Sequence, residues 1–294
     1  MIAALMDQLI QAAIPPAKPE QIITDGRLHR FDIQGDRPGS RNGWITVHLD
    51  PPVSAAFGSW KHGVNATWCE KSSGRLSQHD KDALRERIDA DRRQRDQERE
   101  RRHQEAASKA VKIWGASHTP GPAFPYLQKK RVPSGNTLQT GDNLVLLIQD
   151  FDGSPHGLQF IGPVGDKMFL PGTVKRGHFV LVAGALPGRW LYITEGWATG
   201  MTIASLATPD DCVIAALDAG NLEEVALAAR QRWPEIEIVV CADADEVGLE
   251  KGRKAAIAAR AKWVKPNLPP EAIAQGYTDF NDAVAWNRRQ GMAS

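Results

Sequence analysis

Residues 191–256 read LYITEGWATGMTIASLATPDDCVIAALDAGNLEEVALAARQRWPEIEIVVCADADEVGLEKGRKAA, and the periodicity of this stretch decides the fold. LYIT (191–194) is a short buried strand, and residues 198–206 return to helical spacing. CVIAA (212–216) is a second strand. Asn221 then opens the helix NLEEVALAARQRW, with Glu223 and Glu224 in its first turn and Arg230 and Arg232 in its last, as the helix dipole favours. IEIVVCA (236–242) is a third strand, followed by a helix around residues 249–261. Strands alternating with helices at this spacing predict a parallel sheet covered by helices.

In such sheets ligands bind beyond the carboxyl ends of the strands. Glu195 follows LYIT directly, and Asp243 and Asp245 follow IEIVVCA in CADAD. Two strand ends therefore present three carboxylates to one crevice. Like charges so gathered are costly without a cation. Oxygen donors of this kind suit Mg²⁺, which keeps waters for substrate phosphates. Gly196 permits close backbone approach beside the glutamate. Asp218, in AALDAGNL, reads as a helix-entry residue.

Upstream, residues 144–149, 157–161, 167–170 and 179–183 read as short strands with tight turns such as DFDGSPHG, a small β-rich subdomain. Its preface, YLQKKRVPSG, carries Lys129, Lys130 and Arg131, and GASHTPGPAFP before it marks a boundary. From Ser77 to about Trp114 the chain is helical and highly charged, without Gly or Pro, and its sparse apolar positions predict a largely solvated spacer between modules. The first module, about residues 21–68, reads as three short strands: DGRLHRFDI, NGWITVHLD and AAFGSW. Its aromatic residues, Trp44 and Trp60 among them, alternate with basic ones such as Arg27 and Arg30. They read either as a platform for the bases and phosphates of a single strand, or as the core that a small module needs. MIAALMDQLIQAAIPP reads as an amphipathic packing helix stopped by Pro15 and Pro16.

The composition is that of a soluble chain of about two domains, with 294 residues, 42% of them hydrophobic and 24% charged. The formal net charge of +1 conceals segregation. Residues 71–131 hold 16 basic and 9 acidic side chains, residues 191–250 hold 2 and 12, and residues 251–294 hold 8 and 3. A basic stretch beside an acidic patch fits an enzyme that grips polyanions and holds divalent metal. No apolar run of 18 residues is present, which excludes a membrane helix. Cys69, Cys212 and Cys241 form no C-x-x-C and are too scattered for a disulfide framework, so no zinc ribbon is expected and the compartment reads as cytoplasmic. His62, Cys69 and His79 match no standard metal spacing.

TEGWATG (194–200) and CADADEVGLEKGRKAA (241–256) resemble the Toprim domain of bacterial primases, topoisomerases and related nucleases. DNLVLLIQDFDGSPHGLQFIGPVGDKMFLPG (142–172) is similar to the basic half of the bacterial replicative primase core, which selects primase over topoisomerase. DGRLHRFDIQGDRPGSRNGWITVHLD and AFGSWKHG resemble the front module of primases from plasmids, prophages and satellite phages. The resemblance implies an α/β fold: a Toprim-type parallel sheet flanked by helices, preceded by a β-rich basic subdomain, a charged helical arm and an N-terminal α+β module. It implies divisions at 1–70, 71–118, 119–190 and 191–294, and synthesis of RNA primers on single-stranded DNA by metal-dependent nucleotidyl transfer.

Carried onto this chain, the resemblance makes Glu195 the catalytic glutamate and Asp243 and Asp245 the metal pair. It adds Asp279 and Asp282, in GYTDFND, as ligands of a second ion, with Mg²⁺ or Mn²⁺ as the cofactor, two ions in all and no zinc. Lys129, Lys130, Arg131 and Lys167 become nucleotide- and template-binding residues, and Arg27, Arg30, Trp44 and Trp60 the template-binding surface of the front module. Implied partners are single-stranded DNA, ribonucleoside triphosphates and a replicative helicase in trans, since no G-x-x-x-x-G-K-[ST] occurs. Two positions depart from the pattern: Thr199 stands where an acidic residue follows the glutamate by four, and Asn281 interrupts the late acidic pair. A Toprim-type nuclease and a non-catalytic single-strand loader are the alternatives.

Overall fold

The computed structural model describes residues 2–70 and 77–291, and the start of the expected linker, residues 71–76, lies outside them. The chain forms two compact units, Met1–Arg101 and Arg102–Ser294.

The N-terminal unit contains helix α1 (Ile2–Gln11) and four strands, β1 (His29–Phe31), β2 (Gly43–His48), β3 (Ser54–Ser59) and β4 (Val64–Cys69), paired antiparallel in chain order. The fourth strand, VNATWC, was not anticipated; its alternating half-buried pattern carries little apolar signal, and it is held by pairing with β3 from Ser59↔Val64 to Ser54↔Cys69. α1 supplies Leu5 and Leu9 to a core with Phe31, Ile45, Val47 and Phe57, which covers one sheet face. This is why the aromatics Phe31 and Phe57 are wholly buried.

Helix α2 (Gln78–Ala116) is continuous over 39 residues. Its first part is largely exposed, as expected, but it also joins the N-terminal unit through polar contacts. Arg87 Nη1 donates to the carbonyls of Asp50 and Pro52, His48 pairs with the buried Asp91 at 3.0 Å, and Arg95 donates to Asn65 while lying over the Trp44 ring. Arg and Asp side chains thus make contacts that an apolar count cannot register. Beyond residue 101 the helix is apolar on one side. Ala110 packs with Val145 and Leu158, flanked by Ile113 and Trp114.

The C-terminal unit continues with α3 (Pro125–Lys130), β5 (Leu138–Thr140), β6 (Asn143–Gln149), β7 (Pro155–Ile161), β8 (Lys167–Phe169) and β9 (Phe179–Ala183). Then come β10 (Trp190–Thr194), α4 (Trp197–Ala204), β11 (Cys212–Ala215), α5 (Leu222–Arg232), β12 (Glu237–Cys241), α6 (Glu246–Ala258), β13 (Lys262–Val264), α7 (Pro270–Ala274) and α8 (Phe280–Arg289). All nine strands belong to one sheet, ordered β13-β12-β10-β11-β9-β6-β7-β8, with β5 on β6. β13, β12, β10 and β11 are mutually parallel, whereas β9 is antiparallel to β11 and begins the antiparallel half. One face packs Leu146, Val180, Val213 and Val239 beneath Tyr126, Trp197 and Met201. The other packs Leu191, Ile193, Ile214 and Val240 beneath the alanines and leucines of α5 and α6.

The fold is therefore α/β, with a parallel half flanked by helices. The two compact units meet at 101/102 within α2, and strands on either side of residue 190 share the β9–β11 hydrogen bonds. The expected boundary at 70/71 borders residues outside the description. No helix of the described residues is long and apolar enough to cross a membrane.

Candidate active site

β10 and β12 are parallel neighbours in register, with Thr194 opposite Cys241, so the residues that follow them emerge side by side. Glu195 leaves β10 at the entry to α4, and Asp243 leaves β12 two residues before the cap of α6. Asp245 is that cap, its Oδ1 accepting from the Gly248 N–H at 2.7 Å. The loop between is pinned by the Ala244 N–H donating to the Thr278 carbonyl and the Ala242 N–H to that of Val264. The three strand-end carboxylates thus repel one another across one acidic crevice beyond the strand ends, although among the described residues they are not drawn together as a closed ligand set.

Asp243 is the most perturbed of them. Its Oδ1 is buried and accepts no hydrogen bond. Burial, reinforced by the charges of Glu195, Asp279, Asp245 and Asp282, pushes its pKa up to about 8. Burial likewise raises Glu195, with further repulsion from Asp245 and Asp218, while Lys167 and the Ala219 N–H act in the opposite sense. A buried carboxylate oxygen without a donor, ringed by four other carboxylates, is the electrostatic signature of a cation seat. Its all-oxygen donor set fits Mg²⁺ or Mn²⁺.

Lys167, on β8, reaches this crevice, with its Nζ 3.9 Å from where a Cβ on Gly196 would stand. Asp279 and Asp282 also face it, but both are engaged. They form a reciprocal capping box on α8, and Lys130 Nζ lies 3.6 Å from Asp279 and 3.9 Å from Asp282. Asp218 is a turn cap, as read from sequence, accepting from the Asn221 N–H, and it pairs with Lys175. Thr199 is buried within α4.

Lys129, Lys130 and Arg131 line a basic pocket of about 200 Å³ with Arg288 and Arg289 of α8, which sequence reasoning did not assign. The link is Asn281, buried, whose Nδ2 donates to the Lys130 carbonyl and to Thr202 Oγ1. Only the paired arginines in the last turn of α8 hinted at this in the sequence.

The front-module residues are split. Trp44 is buried, with Arg95 over its face, so it is a core residue and cannot stack on a base. Trp60 is 38% exposed and carries the Arg30 guanidinium at 4.3 Å. Arg27 is exposed nearby in sequence, beside Leu28. A groove of about 360 Å³ runs between the sheet and α2, lined by Trp60, Asn65, Arg92, Arg95 and Arg99 among others. His62 pairs with Asp36 at 3.4 Å, and His62, Cys69 and His79 form no metal-ligating cluster among the described residues.

Residues 190–289 match the family described as a Toprim domain. The chain is 30% identical over 272 residues to a DNA primase TraC of Escherichia coli, covering 86% of this chain and 18% of that protein. A second Escherichia coli DNA primase TraC is 32% identical over 265 residues, covering 85% and 24% respectively. The chain therefore spans less than a quarter of the length of these curated relatives. Among solved structures it is similar to the primase fragment of the bacteriophage T7 primase-helicase protein, with 17% identity, 59% of this chain, 73% of that one and a TM-score of 0.41. It is also similar to the DnaG primase catalytic domain bound to ssDNA, with 12% identity, 65% of this chain, 80% of that one and a TM-score of 0.41. Glu195, Asp243 and Asp245 thus lie within the segment, residues 190–289, that is similar to the Toprim domain family.

Proposed function

We propose that this chain is a DNA primase that makes short RNA primers on single-stranded DNA. The observation that carries the reading is the placing of Glu195, Asp243 and Asp245 at two adjacent parallel strand ends, with one Asp243 oxygen buried and unpartnered. The similarity to DNA primases along most of the chain supports it.

Asp243 and Asp245, with Glu195, would hold Mg²⁺ or Mn²⁺. When bound, the metal lowers the pKa of the attacking hydroxyl and screens charge on the phosphates. The primer 3′-hydroxyl attacks the α-phosphate of a ribonucleoside triphosphate, a new P–O bond forms, and pyrophosphate leaves. Glu195 serves either as a ligand or as the general base that takes the hydroxyl proton; its raised proton affinity suits the second role. Lys167, beside Gly196, balances the triphosphate charge, and Lys129, Lys130 and Arg131 hold nucleotide and template. A second ion at Asp279 and Asp282 requires the Lys130 ammonium to give way, since it already lies between that pair. Trp60, Arg27 and Arg30 of the N-terminal unit hold template, and a replicative helicase acts in trans.

The test is incorporation of labelled ribonucleotides by the full chain on mixed single-stranded templates with Mg²⁺ or Mn²⁺. Nucleotide-dependent products that disappear in Asp243→Asn are expected. Shortening of the DNA without nucleotides would point to a nuclease. Salt-sensitive DNA binding with no product in the wild type would point to a loader, and either result overturns the proposal.

A further inference from the structure

A second constellation of metal-ligating side chains lies in the antiparallel half of the C-terminal sheet, on residues that the primase reading does not use. Asp150 follows β6, His156 is in β7, and His178 immediately precedes β9. The register of β6 against β7 shifts between Ile148 and Gln149, which sets the connecting turn askew. Within that turn Asp150 Oδ1 accepts from the N–H groups of Asp152 and Ser154, both at 2.9 Å, and this orientation sends Oδ2 to His156 Nε2, also at 2.9 Å. The imidazoles of His156 and His178 stack, with centroids 3.8 Å apart and planes 29° from parallel. One ligand atom from each of the three residues lies within 4.8 Å of the other two.

An independent observation points to an absent ligand. His178 Nδ1 is removed from solvent and has no hydrogen-bond partner. An imidazole nitrogen so placed normally finds a donor, an acceptor or a metal. The backbone around it is held firmly. The Val174 N–H donates to the His156 carbonyl, the His178 N–H to that of Lys175, and Asn221 Nδ2 to the carbonyls of both Lys175 and His178. Ligands on secured backbone are what a metal site needs.

We propose that Asp150, His156 and His178 form a site for a first-row divalent cation of the Zn²⁺ type, distinct from the acidic crevice. Two imidazoles and one carboxylate are a nitrogen-rich donor set that favours Zn²⁺ over Mg²⁺ or Ca²⁺. Metal–ligand bonds of about 2.1 Å put tetrahedral ligand atoms about 3.4 Å apart, so no pair has to close by more than about 1.4 Å. That movement is within reach of side-chain rotation. Three protein ligands leave the fourth position to water. The bound ion would clip the β6–β7 hairpin to the loop before β9. Through Asn221, that loop is tied to the turn whose Ala219 N–H faces Glu195.

The experiment is equilibrium dialysis of the full chain, stripped with chelator, against Zn²⁺ alone in the presence of saturating Mg²⁺. One Zn²⁺ per chain is expected. His156→Ala and His178→Gln should each weaken it by roughly 10–100-fold or more, the loss typical of disturbing a metal's supporting contacts. Asp243→Asn should leave it unchanged. No stoichiometric uptake, uptake indifferent to both histidine substitutions, or uptake lost only with Cys69→Ser would each overturn the proposal. Should a histidine variant fail to fold, the ¹⁵N imidazole resonances of wild-type protein decide. Zn²⁺-dependent shifts at His156 and His178 support the site, and unchanged resonances refute it.

Discussion

Asp243 carries its charge at high cost, since burial and four neighbouring carboxylates all oppose it. An isosteric amide removes the charge and keeps the shape. Asp243→Asn should therefore lower nucleotide incorporation by at least about 10²-fold, the size of losing one electrostatic stabiliser of a transition state. The metal-free variant should melt no lower than the wild type, which a thermal scan checks. Asp36, in the N-terminal unit, is the opposite case. Lys61, Asn42 and His62 bond its carboxylate and hold its pKa down to about 2. Because the folded value lies below the ordinary carboxylate value of 3.8, the stability it contributes is present above that value and is lost as pH falls from there through about 2. An NMR titration should find its midpoint near 2, and Lys61→Met should move that midpoint upward. A midpoint at the ordinary carboxylate value in the wild type would refute the assigned contacts.

At the scale of elements, the catalytic loop depends on how closely α6 meets the end of β12. A Cβ added at Gly252 would overlap the Cβ of Ala242, the residue before Asp243. Helix propensity alone favours Gly252→Ala by about 1 kcal/mol. Overpacking of a closed contact costs roughly 1–3 kcal/mol, so the net expectation is destabilisation, measured by chemical denaturation. Incorporation should fall as well, because the strand end moves. A stabilised and fully active variant would show that the helix accommodates the methyl freely. The long helix α2 teaches a related lesson. Its Arg87, Asp91 and Arg95 look solvated in the sequence, yet they hold the N-terminal sheet, whereas Ala106, Ala110, Ile113 and Trp114 mark its apolar end.

Across the whole molecule, the net charge of +1 cancels the acidic residues 191–250 against basic residues on either side of them. Summed charge is therefore a poor guide to nucleic-acid binding here, whereas its distribution is informative. If the N-terminal unit holds template, Trp60→Ala should weaken single-stranded DNA binding by roughly 1–3 kcal/mol, the range for losing one stacked base. Affinity should also fall steeply with salt. Fluorescence anisotropy at two ionic strengths measures both, and undiminished affinity in Trp60→Ala would remove Trp60 from the template surface.

The alternation of strand and helix from Leu191 onward, and the placing of Glu195, Asp243 and Asp245 at strand ends, were legible because each follows from neighbours along the chain. Side-chain period and turn chemistry are local properties. Which of its two readings Trp44 takes, the capture of Asp279 and Asp282 by Lys130, and the tie from Asn281 to the Lys130 carbonyl were not legible. Neither was the stacking of His156 on His178, nor the continuity of the sheet through β9 and β11. Each of these joins segments far apart in sequence, and which segments meet is set by strand register and helix packing, which no local pattern encodes.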